Sequence, residues 1–232
     1  VLGAEAWRMP GSVLPRPDES VRSLIDALAL EPINLSRPTG LARGGIYLIR
    51  LRERLALPAD MEAYTNNKSS TGRIDLATRV LTDGSTRYDR IAPGYRGELW
   101  LEVTPRSFEV QVQCGISLNQ AIVFRQRSIL DHPSLLTAHA HDPLLYEQGG
   151  QPIPAERAIV DDRVVMSADL AAPVVGYVAK RSHLPVQLHH RASHDPDAFF
   201  SPIERPASGY LFLEKDRFYI LATAERVRVP AH

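Results

Sequence analysis

The sequence has little of several features that mark large classes of protein. It contains one cysteine, Cys114, among 232 residues, which excludes intramolecular disulfides and a cysteine-rich metal site. No apolar run approaches the roughly 20 residues that cross a bilayer, and the first residues lack the basic and apolar regions of a signal peptide. The 27 basic and 27 acidic residues cancel, so the overall charge indicates neither nucleic-acid nor membrane-surface binding. With 44% hydrophobic residues, the chain is predicted to be a cytoplasmic globular protein without a membrane or nucleic-acid partner.

Short apolar segments separated by proline, glycine and polar turns run along the chain. Strands are predicted at residues 45–51, 98–103, 108–112 and 209–213, where apolar residues alternate with polar ones or form short runs. One amphipathic helix is predicted at residues 18–28, with an acidic first turn. Many short strands and few short helices predict an all-β fold, such as a sandwich, jelly roll or barrel.

An internal repeat divides the chain. Residues 47–58 align without gaps on residues 219–230, with tyrosine, glutamate, arginine and proline at matching places. Upstream, residues 3–8 align on residues 176–181 at nearly the same offset. The repeat predicts a duplicated β-domain. The first domain spans residues 1–130, a linker rich in proline, glycine and histidine spans 131–158, and a second, diverged domain spans 159–232. Relative to a full pair of such domains, both ends of the chain are expected to be cut.

A polar loop at residues 67–73 combines two cations with three hydroxyl groups in the sequence NKSSTGR. Hydroxyls and backbone N–H groups can bind phosphate oxygens, while lysine and arginine neutralise their charge. The loop lacks the Gly-x4-Gly-Lys order of a Walker motif. It is therefore either a phosphate site of another kind or a polar turn.

A second segment, PGYRGELWLE at residues 93–102, ends in a glutamate. The twofold period of a strand places Glu98, Trp100 and Glu102 on one face. A carboxylate beside a tryptophan in a partly enclosed site suits proton transfer. On an edge strand the same glutamate would be exposed and without a chemical role, and the strand pattern leaves both interpretations open.

The order of these two motifs, followed by a turn at residues 115–120, resembles the dCTP deaminase branch of the dUTPase-like family. The resemblance is close over residues 64–125 and looser elsewhere, where it points to a long, two-domain bacterial form. It implies tandem dUTPase-like distorted jelly-roll or β-clip barrels. It also implies zinc-independent hydrolysis of dCTP to dUTP and ammonia by a homotrimer, with active sites between subunits and Mg²⁺ bound to the nucleotide triphosphate.

The resemblance further implies roles for individual residues. Glu102 corresponds to the glutamate that activates water and passes its proton to the leaving ammonia. No metal-binding residue is implied. The residues implied for catalysis are Glu102, Arg73 and Ser70. The residues implied for nucleotide binding are Lys68, Ser69, Ser70, Arg73, Arg90, Tyr95 and Gln120.

Two positions depart from the family pattern. Ala92 stands where members usually carry an aspartate that, in dUTPases, orients the hydrolytic water, and this argues against pyrophosphatase activity. Tyr88 stands where single-domain deaminases tend to have a small residue. The lone cysteine also excludes the His-x-Glu and Pro-Cys-x-x-Cys ligands of zinc deaminases. Two alternatives stay open: a dUTP diphosphatase of the same fold, and a non-catalytic nucleotide-binding or scaffold domain.

Three groups of polar side chains are interpreted as having no role in the reaction. The histidines at residues 139–141 and those at 189–194 lie in turn-rich sequence without further spaced ligands and are expected in solvated loops. Cys114, at a predicted strand end, is expected to be a packed small residue.

Overall fold

The protein is built from short strands and a few short helices, which confirms the predicted all-β class. The structure, a computed structural model, describes residues 1–126, 129–190 and 192–229. In chain order the elements are β1 (Leu2–Met9), α1 (Val21–Ala27), β2 (Pro32–Asn34), β3 (Thr39–Leu41), β4 (Ile46–Ala56), β5 (Glu62–Asn67), α2 (Ser69–Gly72), β6 (Leu76–Leu81), β7 (Arg90–Ile91), β8 (Arg96–Pro105), β9 (Val110–Val112), β10 (Asn119–Phe124), α3 (His132–His141), β11 (Leu145–Tyr146), α4 (Ala155–Ala158), β12 (Ile159–Val160), β13 (Arg163–Val164), β14 (Val174–Ala179), β15 (Val186–Gln187), a 3-10 turn (Pro196–Ala198), β16 (Phe200–Glu204), β17 (Tyr219–Leu221) and β18 (Arg226–Val227).

The chain forms two compact units. Unit 1 comprises residues 1–126 together with the described residues of 180–199, and unit 2 comprises the described residues of 127–179 and 200–232. Residues 131–158, predicted to be a linker, contain α3, β11 and α4 and lie in unit 2. Residues 180–199, which belong to the C-terminal half of the chain, pack in unit 1.

The described residues of unit 1 form three sheets. The largest has the strand order β2-β1-β4-β8-β6, and a second has the order β10-β5-β7. The third has the order β15-β9-β3, with β15 parallel to β9. Strand β8 pairs with β4 on one side and β6 on the other. A side chain on β8 is therefore held between two neighbouring strands.

A tryptophan pair forms the centre of one core cluster in unit 1. The rings of Trp7 and Trp100 lie 5.8 Å apart, and α1 covers them with Val21 and Ile25, both buried. The Ser20 hydroxyl caps this helix by accepting a hydrogen bond from the backbone N–H of Ser23. The predicted helix is therefore confirmed. Burial of each of its two apolar side chains stabilises the fold by roughly 1.5–3 kcal/mol, which anchors the helix by its apolar face.

Unit 2 contains smaller sheets, of order β16-β14-β17, β11-β18 and β12-β13. Its core cluster holds Leu145, Ile153, Ala158 and Ile159. The strand predicted at residues 209–213 is wrong, because this segment is irregular and pairs with no described strand. The side chain of Phe212 is 83% exposed. The segment has the apolar pattern of a strand, but without a neighbouring strand its backbone N–H and C=O groups cannot form the hydrogen bonds of a sheet.

The two members of the predicted repeat make the same local contact. In unit 1 the Tyr47 hydroxyl accepts a hydrogen bond of 2.9 Å from the backbone N–H of Ala42. In unit 2 the Tyr219 hydroxyl accepts one of 3.0 Å from the backbone N–H of Glu214. Each tyrosine lies on a strand that pairs antiparallel with an earlier strand, β1 or β14. These contacts support the equivalence of residues 47–58 and 219–230.

The upstream part of the repeat is shifted in the structure. Arg8 pairs with Tyr47 in unit 1, whereas Val178, rather than the aligned Arg181, pairs with Tyr219 in unit 2. Strand β1 carries a register irregularity against β4 between Leu2 and Ala6, whereas β14 pairs with β17 in continuous register. An irregularity of this kind adds residues to one strand without moving its partner, so the sequence offset does not follow the structural one.

Candidate active site

Glu102 lies on β8, an interior strand of the five-stranded sheet. It is opposite Leu48 on β4 and opposite Arg79 on β6. Its side chain is only 3% exposed. The interpretation of Glu102 as an exposed edge-strand residue is therefore excluded, and its carboxylate needs partners inside the protein.

The Oε1 atom of Glu102 is held by two side chains. Arg79 donates to it from Nη2 at 2.5 Å and from Nε at 3.1 Å. Ser12 donates from its hydroxyl at 3.1 Å. Cross-strand pairing of opposite charges is favourable on a sheet, and here it fixes one carboxylate oxygen in position.

The Oε2 atom faces Tyr88. The Tyr88 hydroxyl lies 3.1 Å from Glu102 Oε2 and 2.9 Å from the backbone oxygen of Val13. Burial first, and then the charge of Glu102, raise the pKa of Tyr88 to about 12, so the hydroxyl keeps its proton and acts as a donor. The guanidinium of Arg79 lies 4.0 Å from the centre of the Tyr88 ring.

Two members of this network, Arg79 and Ser12, were not predicted from the sequence, and Tyr88 was noted only as a departure from the family. The opposite charges of Arg79 and Glu102 would predict a cross-strand pair if the register of β6 against β8 were known. The sequence does not provide that register. Ser12 lies in an irregular proline-containing segment, where no periodic pattern indicates its position.

The loop NKSSTGR leads from β5 to β6 and contacts the turn before β10. The backbone N–H of Lys68 and the hydroxyl of Thr71 both donate to the backbone oxygen of Leu118, at 3.2 and 2.8 Å. The Asn67 side chain accepts from the backbone N–H of Thr78 on β6 at 3.0 Å. The loop at residues 67–73 and the turn at residues 115–120 are therefore adjacent in unit 1.

Most of the predicted nucleotide-binding side chains are exposed. Within the described part of the chain, Lys68, Arg73 and Arg90 form no side-chain hydrogen bond or ion pair. The exposed members of the set are Ser69, Ser70, Arg73, Arg90 and Gln120. Unpaired cations and hydroxyls at a surface are available to an anionic ligand.

Five of the seven predicted nucleotide-binding residues border three different cavities of unit 1, and Ser69 and Arg73 line none of the three. Lys68 and Ser70 line a cavity of about 760 Å³. Arg90 and Tyr95 line a second of about 270 Å³, and Gln120 lines a third, mainly apolar cleft of about 200 Å³. Glu102 is not among the residues that line any of the three. Unit 1 alone therefore does not bring the predicted residues together around Glu102.

Tyr95 uses its hydroxyl within the fold. It donates to the backbone oxygen of Glu98 at 2.6 Å and accepts from the backbone N–H of Asp83 at 3.4 Å. Burial is the main cause that raises the pKa of Tyr95 to about 12. The ring rather than the hydroxyl is therefore the part of Tyr95 available to a ligand.

The histidines interpreted as solvated do not all lie in solvent. His139 in α3 is 4% exposed. Its Nε2 lies 2.7 Å from the backbone oxygen of Ile153, and its Nδ1 accepts from the backbone N–H of Leu144 at 3.2 Å. The prediction of a solvated loop was wrong here, because two backbone groups of unit 2 use the ring.

The sheets of unit 1 have the all-β architecture of a dUTPase-like protein. The family model of the 2'-deoxycytidine 5'-triphosphate deaminase N-terminal domain matches residues 1–128. The model of the C-terminal domain of the same deaminase matches residues 133–232. The chain therefore belongs to the 2'-deoxycytidine 5'-triphosphate deaminase family.

A solved structure gives the same result. The 2'-deoxycytidine 5'-triphosphate deaminase from Agrobacterium tumefaciens is 34% identical to this chain and superposes with a TM-score of 0.89. The match covers 99% of this chain and 65% of that one, so the chain spans less than two thirds of that protein's length. A comparison with curated protein sequences finds no match. Among the described residues, no helix is long and apolar enough to span a membrane.

Proposed function

We propose that this chain, in its native assembly, hydrolyses dCTP to dUTP and ammonia, with Glu102 as the proton-handling residue. The observation that carries the proposal is the buried Glu102 carboxylate, fixed at one oxygen by Arg79 and Ser12 and approached at the other by Tyr88. Membership of the dCTP deaminase family supports the choice of substrate and reaction. A cytoplasmic location is part of the same proposal.

The reaction needs a base for water and an acid for the amino group. A single carboxylate serves both in sequence. Glu102 takes a proton as the water oxygen bonds to cytosine C4, and it then gives a proton to the amino nitrogen as the C–N bond breaks and ammonia leaves. The Tyr88 hydroxyl has one proton and lies near both Val13 O and Glu102 Oε2. When it donates its hydrogen bond to Val13 O, Oε2 is able to accept a hydrogen bond from water. We therefore assign the proton transfer to Oε2.

The separation of Glu102 from the nucleotide-binding residues suggests how the site is completed. We propose a homotrimer in which the loop bearing Ser70 and Arg73 of one copy meets Glu102 of another. Mixing two inactive variants, Glu102→Gln and Arg73→Ala, tests this, because a mixed assembly contains some sites with both native residues. Recovered activity supports shared sites, whereas a mixture as inactive as its components contradicts them.

The side chains available as metal ligands bear on which metal the reaction uses. The described residues contain no group of three His, Cys, Asp or Glu side chains placed to hold a metal ion. We propose that Mg²⁺ enters as part of the nucleotide complex and neutralises its phosphates. We propose that the deamination step uses no zinc, so a zinc-selective chelator leaves turnover unchanged while Mg²⁺ is supplied.

The decisive experiment measures ammonia released from dCTP. Glu102→Gln should lower kcat by about 10²–10⁴-fold, the usual contribution of a positioned acid–base group, while dCTP binding persists. Glu98→Gln is the matched control, because Glu98 lies on the same strand but is paired with Arg50 at 2.6 Å. Full activity of Glu102→Gln would overturn the mechanism.

Two further measurements separate the alternatives. Pyrophosphate released from dUTP would indicate a dUTP diphosphatase in spite of Ala92. Tight dCTP binding without turnover in the native assembly would indicate a nucleotide-binding or scaffold protein.

A further inference from the structure

The segment that follows β1 crosses the sheet to reach Glu102. Strand β1 ends at Met9, and Pro10 has no N–H group with which to continue the pairing. In the sheet, β1 lies beside β4 and β4 beside β8, so Met9 and Glu102 are on strands two spacings apart, about 9–10 Å. The residues from Pro10 to Ser12 can cover this distance in extended form, at ~3.3–3.6 Å each. We call residues 10–13 the strap.

Few hydrogen bonds hold the strap. Among the described residues, the only backbone group of residues 11–14 that takes part in a hydrogen bond is the Val13 oxygen. The Val13 side chain is partly buried against the cluster that contains Trp100, and Ser12 is exposed. The position of the strap therefore depends on the contacts of Ser12 and Val13 rather than on secondary structure.

The Ser12 hydroxyl joins an exposed cation to a buried carboxylate. It accepts a hydrogen bond from Arg79 Nη2 at 2.9 Å and donates one to Glu102 Oε1 at 3.1 Å, and a hydroxyl can do both at once. Both Arg79 nitrogens that contact the carboxylate bind this same oxygen. Donors to an sp² oxygen prefer the plane of its group, so a further donor from a different element helps to fix the plane of the Glu102 carboxylate and hence the place of Oε2.

The next residue of the strap acts on the other oxygen. The backbone oxygen of Val13 lies 2.9 Å from the Tyr88 hydroxyl, which in turn lies 3.1 Å from Glu102 Oε2. The single hydroxyl proton can bond one of the two acceptors. Two consecutive residues of the strap therefore contact the groups on both sides of the carboxylate.

We propose that Ser12 is a positioning residue for the deamination, which holds the plane of the Glu102 carboxylate while Val13 draws the Tyr88 proton away from Oε2. This inference rests on the proposed function, in which Oε2 transfers the proton. Because Ser12 is exposed, removal of its hydroxyl leaves no buried cavity, and the fold should tolerate the change. The effect is expected in turnover, and it comes from a segment outside the three sequence motifs.

Steady-state ammonia release from dCTP by the native assembly and its variants tests the proposal. Ser12→Ala should lower kcat by about 10–100-fold, since a displacement of about 1 Å at a reacting group costs up to 10²-fold, and it should leave KM and the urea midpoint near their native values. Ser12→Thr keeps the hydroxyl and should recover most of the lost kcat. Ser23→Ala is the matched control, because Ser23 is also exposed and its hydroxyl contacts only Ser20, at 2.7 Å, among the described side chains; its kcat should be native-like.

The role of Val13 is tested through Tyr88. If Val13 holds the Tyr88 proton during turnover, the hydroxyl gives Glu102 no hydrogen bond, so Tyr88→Phe should retain a larger share of kcat than Ser12→Ala. A greater loss of kcat in Tyr88→Phe than in Ser12→Ala would overturn this part of the proposal.

Three results would overturn the role of Ser12: a native-like kcat in Ser12→Ala, a loss of kcat that Ser12→Thr does not restore, or a loss accompanied by a much lower urea midpoint. A native-like Ser12→Ala beside an inactive Glu102→Gln would leave the deamination standing. No ammonia release by the native assembly would overturn the proposed function, and the role of Ser12 with it.

Discussion

Replacing Arg79 with methionine removes the cation that pairs with Glu102 and keeps most of the side-chain volume. The Glu102 carboxylate is 3% exposed, and its shortest contact to the guanidinium is 2.5 Å. Loss of one partner of a buried ion pair costs about 3–5 kcal/mol, because the other charge stays buried. Since the Arg79 side chain is 42% exposed, water screens the pair and can approach the vacated space. We therefore expect a smaller loss, about 2 kcal/mol of unfolding free energy.

Denaturant unfolding of the native protein, Arg79→Met, Glu102→Gln and the double variant measures this loss and isolates the pair. A coupling energy of about 1–2 kcal/mol is expected, because the two side chains share a hydrogen-bond network. The accompanying fall in Tm for Arg79→Met should be roughly 4–8 °C for a chain of this size. Single-variant effects that add to within about 0.5 kcal/mol would refute the reasoning, since the carboxylate would then not depend on its cation.

Three further substitutions test other contacts. The hydrogen bond from Arg50 is the main cause that lowers the pKa of Glu5, so Glu5 stabilises the fold above the unfolded pKa and loses this contribution as pH falls through the folded pKa. Glu5→Gln should therefore lower the urea midpoint at about pH 7 and have less effect at about pH 2, and equal effects would contradict this. Gly176→Ala places a Cβ 2.5 Å from the backbone oxygen of Ile220, which should destabilise unit 2 by roughly 1–3 kcal/mol; unchanged amide exchange in β17 would argue against it. Tyr47→Phe removes a hydroxyl that accepts a backbone N–H and should cost about 1 kcal/mol in denaturant unfolding, whereas a midpoint equal to the native one would show that water replaces the contact.

Elements with strong local patterns were predictable. The strands expected at residues 45–51, 98–103 and 108–112 correspond to β4, β8 and β9, and the helix expected at 18–28 corresponds to α1. The segment 209–213 has an equally good strand pattern and forms no strand. The difference is tertiary, because a strand requires a partner for its backbone groups and the pattern of one segment does not reveal whether a partner is present.

The sequence indicated candidate site residues but not the contacts that surround them. The motif order identified Lys68, Arg73 and Glu102 as candidates, and their roles stay predictions. The pairing of Arg79 with Glu102 depends on strand register, which a sequence leaves open. The position of His189 beside Lys68 depends on a long-range parallel pairing of β15 with β9, for which the local sequence carries no signal.

The return of residues 180–199 into unit 1 has a consequence for the order of synthesis. When residue 126 has been made, β9 still lacks β15 on one side. About 60 further residues must follow before β15 (Val186–Gln187) is complete, which takes several seconds at ~5–20 residues per second. During that interval β9 presents unpaired N–H and C=O groups that another chain can join. Nascent chains on one messenger are therefore most exposed to mispairing while unit 2 is being translated, and a pause in that stretch lengthens the time for which the open edge needs a chaperone.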